Sequence, residues 1–149
     1  MSFGPHPLLL LLLVVGCAGT GEGLDRFGRP IPPEGLDTSI DPYFFVQQVH
    51  ETRCVKCHDG PGAPKGLDLR GEESYGRIVN VPSKEVSDML LVEPYLPENS
   101  YIWAKVVAEH ERRIGSRMPR DGPPYLDEFQ LEDIRSWIAE GALRDEEGR

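Results

Sequence analysis

Cys54-Val55-Lys56-Cys57-His58 constrains this chain more than any other feature. CxxCH is an attachment sequence for covalently bound c-type haem, and the spacing accounts for the chemistry. On the first turn of a helical segment, two cysteines three apart lie on one face, where each sulfur can meet one vinyl group of a porphyrin and form a thioether. His58 then falls under the iron as the proximal ligand, and its other ring nitrogen needs an acceptor to fix the ring. Two other readings compete. A structural zinc site asks for four protein ligands, usually as two paired motifs, and no second CxxC or HxxxH is present. A thioredoxin-like dithiol would sit at a strand-to-helix turn in a βαβ unit, and no strand pattern precedes Cys54. Both are weaker than haem attachment.

The third cysteine, Cys17, closes an apolar run over 8–15. That run is far shorter than the roughly 20 residues that cross a bilayer, so residues 1–16 read as the signal segment of an exported protein. Val14-Val15-Gly16-Cys17 resembles the lipobox of bacterial lipoproteins, in which the cysteine becomes the lipid-bearing first residue; ordinary cleavage between Ala18 and Gly21 is the alternative. Residues 2–7 carry no Lys or Arg, a departure from the usual positive leader. Haem attachment in proteins of this kind takes place outside the cytoplasm, so leader and CxxCH predict the same compartment. Residues 17–38, rich in Gly and Pro, read as a flexible tether with a reach of roughly 25 Å. The folded domain is expected over 39–143, followed by a tail over 144–149.

The formal charge is −9, from 25 acidic and 16 basic residues, and residues 1–16 contribute none of it. Such an acidic balance argues against nucleic acid and predicts encounter with a basic patch on a protein partner.

Along the domain, the pattern predicts a mostly α fold of three to five helices joined by long Gly- and Pro-rich loops. Asp41-Pro42 is a start signal for a helix over 43–53, with Phe45, Val46 and Val49 as its apolar stripe. Residues 59–66 are loop, Leu67-Asp68-Leu69 alternates like a strand fragment, and a short helix fits 75–79. Asn99 or Ser100 is expected to cap a helix over 101–112 bearing Ile102, Trp103, Val106 and Val107. The last helix starts near Asp127 or Glu128, carries Leu131, Ile134, Trp137 and Ile138, and stops at Gly141. Trp103 and Trp137 are expected in the core.

For the second axial position, Met118 is the first choice, because its thioether is a soft, neutral ligand in a segment that Gly and Pro keep irregular. Met89, in an apolar run, reads as packing. His110 and His50 sit on charged stretches and are expected at the surface. An iron with an open distal site would instead suit a sensor or peroxidase, with Arg117, Arg120 and His110 as candidate distal groups.

The order of CxxCH, a Met-Pro loop and a helix ending Trp137-Ile138-Ala139-Glu140-Gly141-Ala142 resembles a class I c-type cytochrome. Val79-Asn80-Val81-Pro82-Ser83, Pro97-Glu98-Asn99-Ser100-Tyr101, Arg117-Met118-Pro119 and Gly122-Pro123-Pro124 are similar to the planctomycete-type cytochrome c-like domains of exported bacterial lipoproteins. The resemblance spans 44–142. It implies a small cytochrome c fold with one covalent haem c on Cys54 and Cys57, and with His58 and Met118 as the iron's axial ligands. It further implies an electron carrier, not an enzyme, held in the periplasm or outer envelope by a lipid on Cys17. A haem subunit of a larger redox or hydrolase complex is the alternative. The sequence departs from the family at Asp59, where many relatives have glycine directly after the histidine, and in the apolar stretch over 90–93, which reads as a partner surface.

Overall fold

The computed structural model describes Met1 and residues 41–144; the rest of the leader over 1–16, Cys17, the tether over 17–38 and residues 39–40 and 145–149 lie outside the described residues. Everything below belongs to the unit Asp37–Arg149. The elements are helical, and no strand occurs among the described residues. No helix among them is long and apolar enough to cross a membrane.

Helix α1, Phe44–Val49, begins where Asp41 takes the Tyr43 amide on its side chain at 2.8 Å and the Phe44 amide on its carbonyl at 2.8 Å. It continues into a π-wound turn, His50–Cys54. The buried face is Tyr43, Val46, Val49 and His50; Phe45, expected in the stripe, is only partly covered. Helix α2 is Ser74–Ile78. Helix α3 is Tyr101–Val106, and helix α4 is Glu128–Ala139, which packs on α1 and α3. The core joins Tyr43, Val46, Ile78, Val92, Trp103, Ile134, Trp137 and Ile138, so both tryptophans are core residues as expected. Tyr43, Tyr75 and Trp137 form an aromatic cluster with ring centroids 5.0–6.3 Å apart.

Four local expectations are corrected. Leu67-Asp68-Leu69 is not a strand, because its one ladder-like bond runs from the Leu69 amide to His58 O (2.9 Å). The apolar run over 90–93 is not a surface: Val92 is fully buried, and the segment folds back on 78–83 through Leu91 N to Val81 O (2.7 Å) and Val92 N to Ile78 O (3.1 Å). Ser100 precedes α3 but does not cap it. Its buried hydroxyl accepts from the Glu93 amide at 2.8 Å and donates to Leu96 O at 3.0 Å, spending its bonds on the neighbouring loop. Helix α3 ends at Val106 and not near 112, because other groups take the carbonyls that would continue it. Lys105 O accepts from Met118 N (2.7 Å), Val106 O from Arg117 Nε (2.7 Å), and Val107 O from Arg113 Nη1 (2.8 Å).

Helix α4 follows its sequence signals closely. Asp127 and Gln130 form a reciprocal capping box. At the other end Gly141, at φ +107°, turns the chain so that the Ala142 amide reaches Trp137 O (2.8 Å).

Candidate functional site

The CxxCH segment folds as the unwinding end of the first helix. In the π turn the Val55 amide bonds His50 O at 2.9 Å, and Cys54 O then accepts from both Cys57 N (3.1 Å) and His58 N (2.9 Å). This shared acceptor packs the two sulfurs and the imidazole into one turn. His58 Nδ1 lies 3.0 Å from Leu67 O. A carbonyl only accepts, so Nδ1 carries the proton, and in the neutral ring Nε2 keeps its lone pair for a ligand. The loop between is held by Arg70, whose guanidinium meets Asp59 at 2.9 Å and Asp68 at 3.0 Å. Asp59 thus has a structural partner in Arg70. Its neighbour Gly60 takes φ +73°, where a side chain would be strained.

Met118 arrives from the opposite end of the domain's sequence. The backbone bonds that stop α3 also seat the 117–118 segment beside it, so the early end of α3 and the position of Met118 have one cause.

A single cavity of about 380 Å³ brings Cys54, Cys57, His58 and Met118 together. Leu67, Leu69, Leu91, Ile102, Val106 and Ile134 supply apolar wall. Its border carries seven basic side chains, Arg53, Lys56, Lys65, Arg77, Lys84, Lys105 and Arg120, against two carboxylates, Glu85 and Asp121. That local excess of positive charge is the reverse of the chain's net balance. Glu85 is shared by Lys105 (3.3 Å) and Lys65 (3.7 Å) and accepts from Tyr101 at 3.1 Å.

The chemistry of the thiols bears on the competing readings. Burial pushes the Cys54 thiol up to about 11, with Arg53 and Lys56 only partly opposing. A thiol so disfavoured as thiolate is a poor exchange nucleophile, against what a redox dithiol needs. Among the described residues, no three His, Cys, Asp or Glu side chains form a group that could hold a metal ion.

His50 corrects an expectation: it is 2% exposed and lines the same cavity. Its Nδ1 is 3.0 Å from the Tyr43 hydroxyl, which is 2.8 Å from Ser74 Oγ, which donates to Gly71 O at 2.6 Å. The serine proton is committed to Gly71, so Tyr43 donates to Ser74 and His50 Nδ1–H donates to Tyr43. Its i, i+7 relation to Tyr43 was the available signal; the charged neighbours Glu51 and Arg53 masked it. His110 and Met89 instead border a different hollow of about 500 Å³, with Asp88, Glu93, Glu98, Glu109 and Glu111. Neither shares the cavity with His58. Met89 is buried packing as expected, and His110, partly exposed, has Nε2 3.1 Å from Glu98 O. Arg117 is occupied by Val106 O and lies over the Tyr125 ring at 4.3 Å. Of the candidate distal groups for peroxide chemistry, only Arg120 lines the cavity.

The chain matches no protein-family model, no curated protein and no solved structure.

Proposed function

We propose that this protein is a mono-haem c-type cytochrome of the bacterial cell envelope, an electron carrier with a cytochrome c fold and a lipid anchor at Cys17. One observation carries the reading: two thiols three apart, an imidazole with Nε2 free of its proton, and a thioether border one apolar cavity. The donor set and the walls fit a covalently attached haem. Left unfilled, the cavity would put its leucine, isoleucine and valine walls against water, at about 25 cal/mol per Å² of apolar surface. A large apolar ligand offsets that cost, and the basic border suits one that carries carboxylates.

The haem iron, when bound, supplies one-electron chemistry. The chain's part is to hold it. Cys54 and Cys57 would give the thioether links, His58 the proximal nitrogen, with its ring fixed by Leu67 O, and Met118 the distal sulfur. Ligation by His58 and Met118 would let the oxidation state change with little movement of the chain, and Leu67, Leu91, Ile102 and Ile134 would limit the water that could reorganise around the charge. The redox partner, with a basic docking patch, would seat on acidic surface away from the basic border. The anchor and the export route rest on the sequence around Cys17.

The test is the optical spectrum of the ferrous protein, matured with the haem-attachment machinery, before and after carbon monoxide. An unchanged spectrum supports a closed six-coordinate carrier; Met118→Ala should then bind carbon monoxide at once and show a lower potential. Wild-type protein that binds it as fast as the variant would exclude Met118 as a ligand and favour sensing or peroxide chemistry. Loss of covalent haem in Cys54→Ala/Cys57→Ala, read by mass, checks the attachment itself.

A further inference from the structure

Arg53 and Lys56 flank Cys54, and both reach the segment that carries Met118. Arg53 Nη2 donates to Pro124 O at 2.7 Å and Tyr125 O at 3.3 Å, and Nη1 donates to Gln130 Oε1 at 3.2 Å. The Lys56 ammonium pairs with the Asp121 carboxylate. On its other side the same segment is tied to α3 through Met118 N and Arg117 Nε. Met118 therefore sits in a strap of chain anchored at its start to α3 and further along to the thiol-bearing turn.

From this geometry we infer that Arg53 and Lys56 are positioning residues which clamp the 118–125 strap to the CxxCH turn and so hold the Met118 thioether in the cavity wall. The inference rests on the haem reading for what the thioether does there, and on the contacts alone for the clamp. The two anchors differ in kind. Lys56 and Asp121 are each about half exposed, so their pairing is weak and screened by salt. Arg53 is partly buried and divides charge-assisted bonds among two backbone carbonyls and a side-chain amide, which makes it the stronger and less salt-sensitive anchor. Lys56 occupies one of the two free positions inside CxxCH, so the motif's variable residue acquires a task in the distal half of the site. Sequence periodicity offers no hint of this, since the partners lie 65 to 77 residues away.

Two measurements separate the clamp from the haem reading. Amide hydrogen exchange over 119–126, in protein purified as it matures with the haem-attachment machinery, should be about two- to fivefold faster in Lys56→Ala and in wild type at high salt, and tenfold or more faster in Arg53→Ala. Lys56→Arg should restore the wild-type rate. Unchanged exchange in Lys56→Ala, which alters an exposed side chain and should not impair folding, together with Arg53→Ala would overturn the clamp. In haem-loaded protein the same variants should raise the rate at which ferrous iron takes up carbon monoxide by the same factors, up to the rate of Met118→Ala. If exchange quickens but carbon monoxide uptake does not, the clamp does not control Met118 and the inference fails. Wild type that takes up carbon monoxide as fast as Met118→Ala would overturn Met118 ligation instead, and exchange then decides the clamp alone.

Discussion

His50 stands one turn before the first thiol with no charge to offset its burial. Desolvation, and then the nearby His58, hold its imidazole at about 4, down from 6.5. The sign follows directly. Between those values the unfolded chain binds a proton that the folded one refuses, so stability is complete above about pH 6.5 and falls as pH drops toward 4. The total is about 3 kcal/mol, at 1.36 kcal/mol per unit. His50→Phe keeps the ring volume and leaves Tyr43 its bond to Ser74, so urea unfolding of this variant should lose the pH slope between 6.5 and 4. An unaltered slope would assign it to other groups. Carboxylates such as Glu85, held low by Lys105 and its other partners against the opposing effect of burial, weaken the fold only in more acid solution. At this scale the gathering of Cys54, Cys57 and His58 into one turn was legible, because spacing alone brings them together. His50 was not, because burial depends on what packs against the helix, and two charged neighbours said nothing about that.

Helices show the same division between local and distant causes. Helix α4 is legible end to end because its cap, its apolar spacing and its glycine stop all act within a few residues of one another. The glycine provides a test. Gly141 holds φ +107°, and a Cβ there would also meet the Tyr95 ring at 2.8 Å. Tyr95 is exposed and can swing aside, but the backbone angle cannot relax, so Gly141→Ala should cost about 1–3 kcal/mol. Gly62→Ala is the control: nothing lies within 4 Å of its Cβ position, and it should be neutral or slightly stabilising. Thermal midpoints of the two variants compare them directly, and equal midpoints would mean the α4 stop carries no strain. Helix α3 was misread at its end for the opposite reason. Residues 107–112 have acceptable helical composition, but Arg113, Arg117 and Met118 take the carbonyls the next turn needs, and no window of local sequence contains that competition. The π turn at His50–Cys54 is likewise invisible to a 3.6-residue period, although it shapes how the cysteines are presented.

Across the whole domain, the cavity sets the terms. Helix α4 packs on α1 and α3 in a core that includes Val46, Trp103, Ile134 and Trp137, yet Cys54, Ile102, Val106 and Ile134 also border a space of about 380 Å³. Core and cavity wall therefore share Leu69, Val106 and Ile134, and the partly buried Cys54, Leu67, Leu91, Ile102 and Met118 pack against the core while lining the cavity. A domain of this length buries a modest core, with total stability of about 5–15 kcal/mol, so apolar wall left against water is a sizeable loss. Water can enter through the basic mouth, but it solvates leucine and isoleucine walls poorly. Stability and cofactor attachment should then be coupled. Cys54→Ala/Cys57→Ala, purified without haem, should keep most of its far-ultraviolet helical signal while losing near-ultraviolet aromatic structure around Trp103 and Trp137. It should also bind a hydrophobic dye and unfold over a broad range, the behaviour of a chain with secondary structure but loosened packing. The covalently loaded protein should unfold sharply at a higher temperature. A haem-free variant that unfolds as sharply as the loaded protein, without binding dye, would mean that the helices pack adequately on their own and that the cavity costs the fold little. The coupling also bears on the order of assembly: if the walls settle only around a bound ligand, the thiols meet it while the chain is still loose, before the Met118 strap is clamped to the thiol-bearing turn.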